Sequence, residues 1–547
     1  MKRLLVLLLW LTLIPTGLAT AQSASATMKT GSAARATAET VTAAQLKDYL
    51  SFVSSDLMEG RDTPSRGLDI TALFISTLLA RWGVQPAGDS GTYFQKIKLL
   101  RTVVKDEGTV ASIGGRTFKY GESFLAQARA GNVSAPLVYV GDGWYVKSKN
   151  IDAYAGLEVK GKIVVVRGGG FPTGLTFTEL RQMDAKDWAD PTHYAERSGA
   201  AGVIILADPG TVGAWDRLKR YQQNVGNLVV EGIPSERDNT VSIPVITANP
   251  AMATALFEGE AVTAASVFDT TKPVAPFAFG APRKVSFTIA AEEKIQWTQN
   301  VVGVIPGSDP RLKNEYVAVG AHYDHIGLSA QGVNGDLINN GADDDGSGTV
   351  SILAFADAVA HAKVKPRRSI LFVWHCGEEK GLWGSQYFTT HPTIPLRQVV
   401  TQLNIDMIGR SKPAGDTQPR NKDLSGPDEI YVIGSKMMST DLGALSERVN
   451  NGYLKLAFNY KYDDPTDPNR YFFRSDHFNY AQKGVPIIFY FDGEHVDYHR
   501  PSDEISRIDF NKMERVARTV FMTMWEIADS AEKPTVDKEL PGLLQRR

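Results

Sequence analysis

A chain of 547 residues is too long for one ordinary core and points to two or three domains. Its 43% hydrophobic and 22% charged residues exclude a disordered chain, and a net charge of −2 with no long basic run gives no reason to expect nucleic acid or an anionic membrane as partner. The single cysteine, Cys376, excludes an intramolecular disulfide, so the fold must rest on its cores and any bound metal.

Lys2 and Arg3, the apolar stretch Leu4–Ile14, then Pro15, Gly17 and Ala19-Thr20-Ala21 form a positive end, an apolar core and a small-x-small cleavage site. Residues 1–21 therefore read as a bacterial-type secretory signal peptide cleaved after Ala21, which places the mature chain in the periplasm or outside the cell. The apolar run is too short to span a bilayer comfortably, no stop-transfer pattern follows, and the absence of a cysteine at the cleavage site argues against a lipid anchor.

Residues 22–40 are rich in Ala, Ser and Thr and read as a flexible leader. A helix is expected from Ala43, with Leu46, Tyr49, Leu50 and Val53 at helical spacing, and another from Arg66 to Trp82, stopped by Gly83. Residues 41–133 are taken as the first part of the main domain. From Ser134 the texture changes to short β-rich runs (Leu137–Val140, Ile163–Val166, Val203–Leu206, Ile243–Ile246) among Gly-rich loops, with one helix ending near Arg197. This reads as a smaller β-rich domain inserted over 134–270, with Lys272–Pro282 as the linker back. In 271–530 strands alternate with helices: Val301–Ile305, Tyr316–Ala321, the helix Thr349–His361, then Ser369–Trp374, Val400–Ile405, Ile430–Gly434 and Val485–Phe491. Such alternation predicts an α/β sandwich of three layers around a largely parallel sheet, followed by a tail at 531–547.

In open α/β sheets, ligands bind beyond the carboxyl ends of the strands. Those ends carry His322-Tyr323-Asp324-His325, His375-Cys376-Gly377-Glu378-Glu379, Asp406 and Glu494-His495-Val496-Asp497-Tyr498-His499, and Gly341-Ala342-Asp343-Asp344-Asp345-Gly346-Ser347-Gly348 precedes a helix. Taken singly, each has an ordinary explanation: a satisfied core pair, a solvated acidic loop, a helix cap. The acidic loop also lacks the spacing of a calcium-binding EF-hand. Together they offer imidazole and carboxylate donors at successive strand ends, the donor set that suits zinc. Cys376, inside the apolar run Leu371–Cys376, reads as a buried structural thiol.

The ordered set His322-x-Asp324, Gly341–Gly348, Glu378-Glu379-x-Gly381-Leu382-x-Gly384-Ser385, Asn404-x-Asp406-Met407-Ile408-Gly409 and Asp497-Tyr498-His499-x-Pro501-x-Asp503 resembles the co-catalytic zinc aminopeptidases, metallopeptidase family 28. Leu57–Thr63 resembles the usual opening of that family. The insert, with Tyr154-Ala155-Gly156-Leu157 and Ser198-Gly199-Ala200-Ala201-Gly202, resembles a protease-associated domain. The resemblance implies two Zn2+ per chain and hydrolysis of a peptide bond, most readily release of N-terminal residues from peptide substrates. His322 and Asp406 would bind one ion, Glu379 and His499 the other, and Asp344 would bridge them. Glu378 would be the general base toward a water shared by the ions, Asp324 would orient His322, and Tyr498 would stabilise the oxyanion. Gly346 and Ser502-Asp503-Glu504 depart slightly from the family pattern and touch no ligand.

Other members of the family suggest a carboxypeptidase or dipeptidase, since the metal centre is shared and specificity lies in the pocket. A glutaminyl cyclase has a similar fold with one zinc, and a binding protein on this scaffold would lose ligands; the intact His322 and Glu378-Glu379 favour the hydrolase. Among the other histidines, His193 and His391 read as surface residues, His361 as a helix C-terminal contact, and His325, His375 and His495 have no ligand counterpart in the family. Arg474-Ser475-Asp476-His477 is expected to wall the substrate pocket.

Overall fold

Four strands of the C-terminal half are buried almost from end to end, and this decides the architecture. They are Tyr316–His322, Ser369–His375, Val399–Ile405 and Ile487–Phe491. Strands apolar on both faces need cover above and below, the situation of a parallel sheet between helices. With Ala291–Ile305 as β1, the sheet continues as β2 (Tyr316–His322), β3 (Ser369–His375), β4 (Val399–Ile405), β5 (Glu429–Ile433), β6 (Ala457–Asn459) and β7 (Ile487–Phe491). The order is β1-β3-β2-β4-β7-β5-β6. β3, β2, β4 and β7 run parallel, whereas β1 on β3 and β5 on β7 are antiparallel. The three-layer α/β fold with a largely parallel sheet is therefore present.

The computed structural model describes residues 31–539 except 173, 177, 178, 181, 182, 184, 185, 234–240, 281–283 and 334. The expected signal peptide at 1–21 and residues 540–547 of the expected tail lie outside the described residues. Among the described residues no helix is long and apolar enough to cross a membrane.

Neighbouring side chains on β3 show how both faces are covered. Trp374 Nε1 donates to the Thr349 carbonyl of the helix Gly348–His361, while the next residue, His375, meets Tyr480 of the helix His477–Gln482. Successive strand residues point to opposite faces, so these helices lie on opposite sides. The long helix Phe510–Asp529 buries Met513, Val516, Ala517, Val520, Phe521 and Met524, a stripe at helical spacing. The helices Ala43–Val53 and Arg66–Arg81 start where expected, with Thr42 and Ser65 accepting from the backbone N–H of Gln45 and Leu68.

The chain divides into two compact units, Met1–Ile97 with Thr298–Arg547, and Lys98–Trp297. The second unit thus begins well before the expected boundary at 134 and ends after 270. The strands Val110–Ile113 and Arg116–Lys119 are the reason: they form a hairpin that pairs through Val285–Ile289 with Gly131–Ala135 into one antiparallel sheet. Its short, mostly polar outer strand Arg116–Lys119 carries little hydrophobic signal to read. Another sheet of this unit holds the expected runs, with Leu137–Tyr139, Ile163–Arg167, Gly202–Leu206 and Val245–Ala248 side by side and parallel.

The expected flexible leader fails over its described part, residues 22–30 lying outside the described residues. Within the stretch 22–40, residues 31–38 are helical rather than a flexible leader, with Ala34 and Ala38 buried. Alanine is the best helix former, so an Ala-rich composition cannot distinguish a linker from a short packed helix.

Candidate metal centre

Parallel strands deliver their carboxyl ends to one edge, and here those ends gather the chemistry. His322 is the last residue of β2, Glu378 and Glu379 follow β3, and Asp406 follows β4. His499 lies beyond β7 with φ of 56°. Asp344 comes from the loop before Gly348–His361. His322 Nε2 lies 3.2 Å from Asp344 Oδ1 and 3.6 Å from Asp406 Oδ1. His499 Nε2 lies 3.1 Å from both Asp344 Oδ2 and Glu379 Oε2. The structure thus brings His322, Asp344, Glu379, Asp406 and His499 to one place, with the two oxygens of Asp344 facing the two histidines.

The other two aspartates of the acidic loop have structural work. Asp345 accepts from His322 N–H, Met407 N–H and Gly348 N–H, joining β2, the end of β4 and the helix start. Gly348 must be glycine, because a Cβ there would stand 2.4 Å from Asp345 Oδ1 and 2.5 Å from the Ile405 carbonyl. Asp343 accepts from Gly409 N–H and faces His495 Nε2 at 3.3 Å. Asp503 in turn accepts from the N–H groups of Asp343 and Asp344.

Glu378 sits 4.0 Å from His322 Nε2, and its backbone N–H donates to Asp324 Oδ1. The Asp324 carboxylate is 3.7 Å from His322 Nδ1, while the Asp324 main-chain carbonyl is nearer, at 3.1 Å. The ring of His322 is therefore oriented chiefly by the backbone of Asp324, and the Asp324 carboxylate holds the Glu378 segment. Tyr498 stacks on His499 with ring centroids 3.9 Å apart.

The charges are out of balance unless a cation is supplied. Burial alone would favour neutral His322, yet Asp406 and Glu378 raise it well above the usual imidazole range. Burial likewise opposes the His499 cation, but Asp344 and Glu379 push it up to about 11. Burial works against the Asp344 carboxylate, and His325, His322 and His499 still hold it well below the ordinary range. Burial raises Glu378 well above the usual carboxylate range, with Glu379 and Asp406 adding to it. The buried carboxylates thus draw positive charge toward both imidazoles, the demand that a bound cation would meet. Several donor atoms there, including His322 Nε2, Asp344 Oδ2 and Glu379 Oε1, are buried and lack any hydrogen-bond partner. Nitrogen and carboxylate oxygen donors of this kind fit zinc, and two groups, His322–Asp344–Asp406 and His325–Asp344–Glu379, each have ligand atoms within 4.8 Å of one another.

Beside the centre lies a cavity of about 30 Å³ reached by Glu378 and Tyr498 and walled by Met407, Tyr471, Phe489 and Phe491. Arg474 and Glu494, both part-exposed, also line it and are paired at 2.8 Å. Of the segment expected to wall the pocket, only Arg474 lines it. Ser475 accepts from Asn404, Asp476 faces His375 at 3.4 Å, and His477 Nε2 meets the Phe472 carbonyl, and none of the three lines the cavity. Cys376 is buried. His391 and His361 are exposed, and His193 is part-buried against Asp190.

Two residues at the centre have roles that sequence reasoning missed. His325 is fully buried against Glu379. Arg61 is fully buried too, and its guanidinium donates to the carbonyls of Tyr323, Val53, Asn340 and Gly341. It thereby fastens the loop after β2 to the loop that carries Asp344. Its place in the Leu57–Thr63 motif was the only signal available.

Residues 300–524 match the model of Peptidase family M28, and residues 133–256 match that of the PA domain. Leucine aminopeptidase 1 of Sclerotinia sclerotiorum is 29% identical over 244 residues, covering 43% of this chain and 57% of that protein. Leucine aminopeptidase 1 of Ajellomyces capsulatus is 30% identical over 255 residues, covering 44% and 60%. The chain thus spans less than two thirds of the length of these relatives. BSAP, a zinc aminopeptidase from Bacillus subtilis, has a similar fold, with a TM-score of 0.50 at 19% identity over 91% of this chain and 98% of that one. Residues 300–524 thus form a peptidase family M28 domain, and residues 133–256 a PA domain.

Proposed function

We propose that this chain is an aminopeptidase that holds two zinc ions and releases N-terminal residues from peptides. The observation that carries the reading is the convergence of His322, Asp344, Glu379, Asp406 and His499, remote in sequence, with Asp344 offering one oxygen to each side. In this reading His322, Asp406 and Asp344 hold one ion, and Glu379, His499 and Asp344 the other. Zinc ions so held supply Lewis acidity toward the scissile carbonyl and lower the pKa of a nearby water.

The chain's own groups do the rest. Glu378 borders the cavity and takes the proton of the attacking water, then returns it to the leaving amine. Tyr498 borders the same cavity and donates its hydroxyl proton as a hydrogen bond to the oxyanion. Asp324 holds the backbone of Glu378 and the ring of His322 in place. Met407, Tyr471, Phe489 and Phe491 make an apolar wall suited to an uncharged side chain.

Aminopeptidase action is favoured over carboxypeptidase action by the charges at the cavity. Among the described residues Arg474 is the one cationic side chain lining it, and it is already paired with Glu494, which leaves no uncommitted cation among them for a substrate carboxylate. A free substrate amine, in contrast, meets Glu494 and the other carboxylates. Aminoacyl p-nitroanilides with Leu or Phe should be cleaved, and N-acetylation should lower kcat/KM roughly ten- to a hundredfold, the size of a lost hydrogen bond to a charged group. Cleavage of blocked or C-terminal-residue substrates without cleavage of the free-amine ones would replace this reading with the carboxypeptidase.

A further inference from the structure

Resting on the two-ion reading, we infer that His325 is a third imidazole ligand of the centre, binding the ion held by Glu379, Asp344 and His499. His325 Nδ1 lies 2.9 Å from Glu379 Oε1 and 3.7 Å from Asp344 Oδ2. Its ring stands edge-on to His499 at 5.6 Å between centroids. The two imidazoles thus approach the same pair of carboxylates, His325 at one oxygen of Glu379 and His499 at the other.

The plainer role, a ring N–H that merely steadies Glu379, fits less well. His325 is fully buried, and neither of its ring nitrogens has a hydrogen-bond partner despite the short distance to Glu379. A buried imidazole with both nitrogens unsatisfied costs about 1–3 kcal/mol per lost bond unless something else binds there, and a cation on Nδ1 is what the neighbouring carboxylates invite. The ring is also held from behind. The main-chain N–H of His325 donates to the Arg61 carbonyl, which fixes the backbone that carries the ring, and a Cβ on Gly341 would stand 2.6 Å from His325 Cγ. Gly341, at φ of 54°, thus leaves the space that the ring fills.

The consequence is an unequal pair of sites. The His322 side offers one imidazole with Asp344 and Asp406, and the other side offers two imidazoles with Asp344 and Glu379. Imidazole-rich sites favour zinc, cobalt and nickel, so the second ion should be held more tightly than the first.

X-ray absorption on the full chain loaded with zinc alone tests this without any variant, by counting imidazoles per pair of ions. Three support the inference; two, with both ions bound, overturn it while leaving the two-ion reading intact. A wild-type chain that binds no zinc overturns both. His325→Gln and His325→Ala, measured by chelator competition, should weaken one ion by more than roughly a hundredfold, beyond the 10- to 100-fold expected of a residue that only orients a ligand. A smaller loss, or unchanged affinity for both ions, overturns the inference.

Discussion

Glu378→Gln is expected to retain metal and lose about 10²- to 10⁴-fold in kcat, with KM changed far less. The substitution removes the group that carries the proton and keeps the size of the side chain. It leaves the backbone N–H that donates to Asp324 Oδ1, so the Glu378–Glu379 turn and the neighbouring ligand stay anchored. The steady-state rate on a free-amine substrate, measured beside the zinc content of the same sample, separates loss of chemistry from loss of metal. Near-normal turnover in a metal-loaded variant would take the base role away from Glu378. Loss of zinc in parallel with activity would instead make it a ligand.

Arg61→Met is expected to destabilise the chain by about 3–5 kcal/mol, the range for breaking a fully buried charged network. Four carbonyls, of Val53, Tyr323, Asn340 and Gly341, lose their donor at once. Methionine brings no N–H to replace it. Burial lowers the Arg61 pKa, and Asp324, Asp344 and Asp503 oppose that change, so the buried cation also offsets the negative charge of the loops it joins. Thermal unfolding should show a midpoint lower by roughly 10 °C, at 2–4 °C per kcal/mol for a large domain. Arg61→Lys should recover only part, because an ammonium cannot reach acceptors spread around a planar fork. A midpoint within the error of the parent would show that the buried guanidinium is dispensable.

Much of this molecule could be read from the sequence because its architecture writes strong local signals. Strands buried on both faces, such as Ser369–His375 and Val399–Ile405, leave continuous apolar runs, and the residues that follow them are at the functional edge by topology alone. The alternation of strand and helix then fixes the layer architecture. What stayed hidden is non-local or too weak in pattern. The hairpin Val110–Ile113 with Arg116–Lys119 belongs to the second unit only through its pairing with Val285–Ile289, more than 160 residues away. Residues 31–38 look like a linker until their alanines are seen to be buried.

The same division holds at the centre. His322, Asp344 and Asp406 stand where strand order places them, and the resemblance of motifs singled out Asp344 among three successive aspartates. The hydrogen bonds of Asp343 and Asp345 show what the other two do, which no spacing could reveal. His325 has no ligand counterpart in the family motifs, yet the turn after β2 brings its ring back to Glu379. Arg61 acts through four main-chain carbonyls, and carbonyls have no sequence signature.

Zinc titration of the chelated chain, followed by calorimetry and elemental analysis, tests the central claim most directly. The account predicts two ions per chain in the parent, and weakened binding of both in Asp344→Ala, because that carboxylate faces His322 with one oxygen and His499 with the other. Stoichiometric binding of a single ion in the parent, or loss of only one when Asp344 is removed, would contradict it.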